Sequence, residues 1–104
     1  MSKRLEMIDK MIAAGSSDPF VYYGRAMELK SLGRLDDAMV ALELVHARFP
    51  TYVPAWHQAG ILAREQKQID RARGFFEKGI AEAKASGNSH ALGEMSAELD
   101  ALAG

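Results

Sequence analysis

Apolar residues recur along this chain at the spacing of one helix face, in six runs separated by turn residues. Leu5, Ile8, Met11 and Ile12 form the first run, and Gly15 closes a helix over residues 2–14. Asp18 is placed to cap the next helix, 19–32, with Pro19 fixing its first turn. Its inward face carries Val21, Tyr22, Ala26, Leu29 and Leu32, and Gly33 supplies a left-handed residue at its end. Leu35, Ala38, Met39, Leu42, Val45 and Phe49 mark a third helix over 35–48, which Pro50 prevents from continuing. Trp56, Ala59, Gly60 and Ala63 face inward from a fourth, 53–66, with Pro54 in its first turn. Lys67 stands where the earlier hairpin has Gly33, so this turn is less favourable. Ile69, Ala72, Phe76, Ile80 and Ala83 stripe a fifth helix over 69–85, ended by Gly87. Asn88 or Ser89 caps a sixth over 88–103, with Leu92, Met95, Leu99 and Leu102 on one side. No strand pattern interrupts the series, so the fold class is all-α.

The second and third helices form one 34-residue block, 19–52, and the fourth and fifth another, 53–86. In register, Asp36, Ala38, Glu43 and Ala47 repeat as Asp70, Ala72, Glu77 and Ala81. Chemical type persists elsewhere: Tyr22 with Trp56, Ala26 with Gly60, Met27 with Ile61, Lys30 with Arg64 and Leu42 with Phe76. A fixed period of this length marks helical hairpins too small to bury an apolar face alone.

These blocks resemble the tetratricopeptide repeat, whose pattern places a Trp, a Leu-Gly pair, a Tyr, an Ala, an aromatic and a Pro in order. Trp56, Gly60, Ala72 and Phe76 match in the second block, where Ala59 and Ala63 replace the Leu and Tyr. In the first, Ala38 and Pro50 match; Tyr22, Ala26, Leu29 and Leu42 substitute, and Arg25 departs from the Leu. Leu92-Gly93 imitates the Leu-Gly pair if the preceding linker is one residue short. The resemblance implies antiparallel helical hairpins stacked as a short right-handed superhelix of about six helices. Residues 1–104 then form a single domain, with a half-repeat at each end: helix 2–14 before the repeats, a capping helix over 88–103 after them. Small residues at Ala26, Ala38, Gly60 and Ala72 let paired helices approach closely. Tyr22 and Trp56 fill the space between hairpins.

Composition narrows the function. Of 104 residues, 13 are basic and 14 acidic, with no run of like charge, which removes the basic surface that nucleic-acid binding needs. Without cysteine there is no disulfide framework, thiolate chemistry or cysteine metal site. Glu6, Asp9 and Lys10 break any signal-peptide core, and no apolar stretch is long enough to span a bilayer. The cytoplasm is the expected location. No phosphate-cradling glycine loop, nucleophile elbow or Ser-His-acid spacing occurs, so neither an enzyme nor a cofactor is expected. His90 and Glu94 lie four apart, but two ligands without a third do not make a metal site.

The resemblance implies a protein or peptide partner held in a concave groove lined by the first helix of each hairpin. By register, Phe20, Tyr23, Met27 and Lys30 face that groove from the first block. Pro54, His57, Ile61 and Arg64 do so from the second, and His90, Glu94 and Ala97 from the last helix. A groove mixing aromatic, aliphatic and cationic groups suits a peptide with an apolar anchor and an acidic group. The alternative is a self-assembling scaffold, a homo-oligomer joined through Leu5, Met11, Leu92, Leu99 and Leu102 of the terminal helices.

Overall fold

The computed structural model describes residues 2–103. Six helices follow one another: α1 (Lys3–Ala13), α2 (Pro19–Ser31), α3 (Leu35–Arg48), α4 (Val53–Glu65), α5 (Ile69–Ser86) and α6 (Ser89–Ala103). No strand occurs among the described residues. The helices group into two compact units, Met1–Phe49 and Pro50–Gly104. In the first, α2 packs on α3 and carries α1 on another side; in the second, α5 packs between α4 and α6.

Turn chemistry sets the helix ends. The Asp18 carboxylate accepts the Phe20 N–H at 2.9 Å, and Pro19 opens α2. Positive φ follows the ends of four helices, at Gly15, Gly33, Lys67 and Gly87. Each lets the next amide reach back to a helix carbonyl: Ser16 to Met11, Arg34 to Leu29, Gln68 to Ala63 and Asn88 to Ala83, at 2.9–3.1 Å. Lys67, at φ +61°, is the one non-glycine among them, so its Cβ carries a strain the other three avoid. The Asn88 side chain caps α6 by accepting the Ala91 N–H at 3.1 Å.

The first unit buries Ala26, Leu29, Ala38, Leu42 and Val45, with Tyr22 and Met39 close to fully covered. The Tyr22 hydroxyl donates to the Ser16 carbonyl and is itself met by the Arg48 guanidinium. Its ring lies 5.4 Å from that of Phe49. In the second unit, Ala55, Ala59, Leu62, Ala63, Ala72, Phe76, Ala83 and Met95 have no exposed surface. Two glycines set its spacing. A Cβ at Gly60 would meet Cδ1 and Cζ of Phe76 at 2.6 and 2.7 Å, so α4 rests its backbone on that ring. A Cβ at Gly79 would lie 2.5 Å from Met95 Sδ and 2.9 Å from Trp56 Cβ, so α5 receives α4 and α6 there.

Three expected core positions differ. Leu32 is exposed because α2 already unwinds at this residue to enter the Gly33 turn. Ile69 is exposed at the first residue of α5, directly after the Lys67 turn. Trp56 is half-buried rather than enclosed. Its indole N–H donates to the Pro50 carbonyl at 2.8 Å, so the ring sits at the edge of its unit, 6.5 Å from Phe75.

Candidate partner-binding site

The first unit contains an open apolar cleft between α1 and α2. Ser2 fixes one end of it. Its hydroxyl oxygen accepts the Leu5 N–H at 3.0 Å, capping α1, and its O–H donates to Glu28 Oε2 at 2.6 Å, tying that cap to α2. Along the opposite flank Asp9 pairs with Arg25 at 2.8 Å. Gly24 of α2 lies beside Ile8 of α1, whose Cδ1 would be at an ordinary contact distance of 3.8 Å from a Cβ there. On the open side the two helices leave about 480 Å³ between them.

Arg4, Met7 and Met11 of α1 and Phe20, Tyr23 and Met27 of α2 form the walls, over a floor of Ile8, Val21 and Gly24. Glu28 and Ser31 close the same end as Arg4. Met7 is 65% exposed and Phe20 64%, and α1 contributes no fully buried residue. Large apolar side chains therefore face water here in one continuous surface. Such a patch marks an interaction site more often than scattered surface apolars do.

Of the residues singled out by register, Phe20, Tyr23 and Met27 gather on this cleft. Lys30, one turn further along α2, is half-buried and engaged with a neighbour. The α1 wall was missed. Its signal was the width of the apolar face, because Met7 falls off the Leu5–Ile8–Ile12 stripe and broadens it toward one side.

The other candidates lie in the second unit, where their arrangement is different. Arg64 Nη1 pairs with Glu98 Oε2 of α6 at 2.9 Å, so this guanidinium already has a carboxylate. His57 lies 4.0 Å from the same Glu98 oxygen and sets its ring edge-on to Phe76, 6.1 Å between centroids. Ile61 is half-buried, and Pro54 and Ala97 are exposed. His90 and Glu94 face each other at 3.4 Å across one turn of α6, both well exposed. Among the described residues, no group of three or more His, Asp or Glu side chains is placed to hold a metal ion. No described helix is long and apolar enough to cross a membrane.

No protein-family model matches the sequence, and no curated protein matches it. Solved structures do. A protein from Bordetella parapertussis, 25% identical, superposes with a TM-score of 0.83 over 99% of this chain and 90% of its own. A tetratricopeptide repeat domain protein from Salinibacter ruber, 25% identical, gives 0.79 over 84% of this chain and 98% of its own. PcrH, solved in complex with the chaperone binding region of PopD, gives 0.86 at 16% identity, over 95% of this chain and 75% of its own. Together with the paired 34-residue blocks, these likenesses identify the architecture: the chain has an all-α fold similar to that of tetratricopeptide repeat domains.

Proposed function

We propose that this protein is a non-enzymatic interaction module that takes a segment of a partner protein into the α1–α2 cleft. The observation that carries the reading is the apolar lining of that cleft, in which Met7, Met11 and Phe20 are exposed and Tyr23 and Met27 half-buried. The exposed faces of Met7, Met11 and Phe20 are open to an incoming surface. A protein of the same fold, PcrH, is seen with a region of a partner bound, which favours this class of function. Under this reading residues 1–104 work as one module, in keeping with the superposition of nearly the whole chain on one relative.

Met7→Asp and Phe20→Asp test it, because both side chains are about two-thirds exposed and neither substitution buries a charge. Peptides are selected from a random displayed library on the wild-type protein, then measured against each variant by fluorescence anisotropy. The expectation is at least tenfold weaker binding with an unchanged melting temperature. Selected peptides that bind wild type and both variants alike would show that the cleft is not the site. The Arg64 region is a poorer place for such a test, since Arg64→Glu sets two carboxylates against each other at Glu98 and disturbs the α4–α6 contact itself.

A further inference from the structure

We propose that Met7 and Met11 are sites of reversible oxidation to methionine sulfoxide, and that this modification makes the α1–α2 cleft sensitive to peroxide. The chain has six methionines and no cysteine, so thioethers are its only oxidisable sulfur. Five of the six lie among the described residues, and the fold divides them into two classes. Met7 and Met11 are exposed and stand one turn apart on α1, and half-buried Met27 of α2 completes a trio lining the cleft. Met39 and Met95 are enclosed in the cores of their units. Met95 Sδ lies 2.5 Å from where a Cβ on Gly79 would be, so no added oxygen fits between that sulfur and the α5 backbone. Exposure governs attack on sulfur, so an oxidant reaches the cleft first and the core last.

The reaction needs no catalytic group of the protein. A thioether lone pair attacks one oxygen of hydrogen peroxide, and an S–O bond forms as the O–O bond breaks. The departing hydroxide takes the remaining proton and leaves as water. Sulfur loses two electrons and peroxide gains them. A dithiol-dependent sulfoxide reductase reverses the step: the thioether returns, the dithiol becomes a disulfide and the oxygen leaves as water. Both side chains carry the added oxygen in water, since each is exposed and α1 contributes no fully buried residue. The consequence for binding rests on the proposed role of the cleft. A sulfoxide sets a strong acceptor and a dipole on an apolar wall, so an apolar surface that covers Met7 must strip that oxygen of water without replacing the hydrogen bond.

The test treats the full chain with hydrogen peroxide, removes the excess with catalase and maps each methionine by peptide mass spectrometry. Met7 and Met11 are expected to gain one oxygen first, Met27 more slowly, and Met39 and Met95 only when the chain unfolds. At the dose that modifies the first two, peptides selected on the untreated protein should bind at least about tenfold more weakly by anisotropy, at an unchanged melting temperature. Treatment with the reductase should restore the affinity. In Met7→Leu/Met11→Leu, treated and untreated protein should bind alike, whatever their absolute affinity. Modification of Met39 or Met95 in the folded protein as early as Met7 overturns the assignment of the sites. Unaltered binding after oxidation, by peptides that do depend on Met7 and Phe20, overturns the switch and leaves the cleft in place. A loss of affinity that the leucine variant shares, or that follows a fall in melting temperature, overturns it as well. If the peptides ignore Met7→Asp and Phe20→Asp, the reading of the cleft fails and takes the switch with it.

Discussion

Gly60→Ala is a substitution that helix propensity and packing judge with opposite signs, and the structure says which wins. Inside α4, replacing glycine by alanine should stabilise the helix by about 1 kcal/mol. The new methyl group, however, falls under 3 Å from three carbons of the Phe76 ring, and Phe76 has no exposed surface into which to swing. Overpacking of a rigid, enclosed ring belongs at the upper end of the usual range, about 3 kcal/mol. The net expectation is a loss of about 2 kcal/mol, or about 1–2 M in urea midpoint. Gly74→Ala is the internal control: an exposed helical glycine whose Cβ would meet nothing within 4 Å, expected to gain about 1 kcal/mol. The assay is urea unfolding followed by the fluorescence of Trp56, the only tryptophan, which shares a unit with both sites. Helicity by circular dichroism is recorded in parallel. Phe76→Leu removes the opposing ring and should cost about 1–2 kcal/mol alone. Combined with Gly60→Ala it should cost clearly less than the sum, because the added methyl fills part of the vacated space. If Gly60→Ala raises the midpoint as Gly74→Ala does, the close approach of α4 to Phe76 is wrong.

Other expectations follow from local geometry. Lys67→Gly should stabilise the protein by about 1 kcal/mol, seen as a higher urea midpoint, because it removes the only left-handed non-glycine residue among those described. Asn88→Ala deletes the cap on α6 and should cost about 1 kcal/mol, with Asn88→Asp retaining most of it. Arg64→Ala and Glu98→Ala break a partly exposed pair, so a double-mutant cycle should return about 0.5–1 kcal/mol and shrink in 1 M NaCl. Tyr22→Phe removes a hydroxyl that bonds both Ser16 and Arg48 and should lower stability by about 1 kcal/mol in thermal melts, with the ring contact to Phe49 retained.

The fold was legible because several independent signals agreed at each boundary. Asp18-Pro19, Gly33, Pro50 and Gly87 are start and stop residues, and the apolar stripes between them keep a helical period. Lys67 was identified as an awkward turn from register alone, and it does adopt positive φ. What the pattern could not convey was how far each stripe is covered. Leu32, Ile69 and Trp56 have the hydrophobicity of core residues, yet each stands where its helix ends or where its unit has an edge. Gly79 carried no visible signal, since its role is defined by Met95 and Trp56 on other helices. The α2 side of the cleft was readable from the repeat register. Its α1 side was not, because register says nothing about the helix that precedes the first repeat. Pairings between distant residues were equally invisible, and so the carboxylate that engages Arg64 had to come from the structure.

The Tyr22 hydroxyl joins two places that the chain keeps far apart, the linker after α1 and the last turn of α3. Ser16 lies three residues beyond α1 and its own amide bonds back to the Met11 carbonyl at 3.1 Å. Arg48 sits at the opposite terminus of the unit, one residue before Phe49. One phenolic oxygen thus fastens, within the first unit, the segment leading into α2 to the residue on which α3 ends.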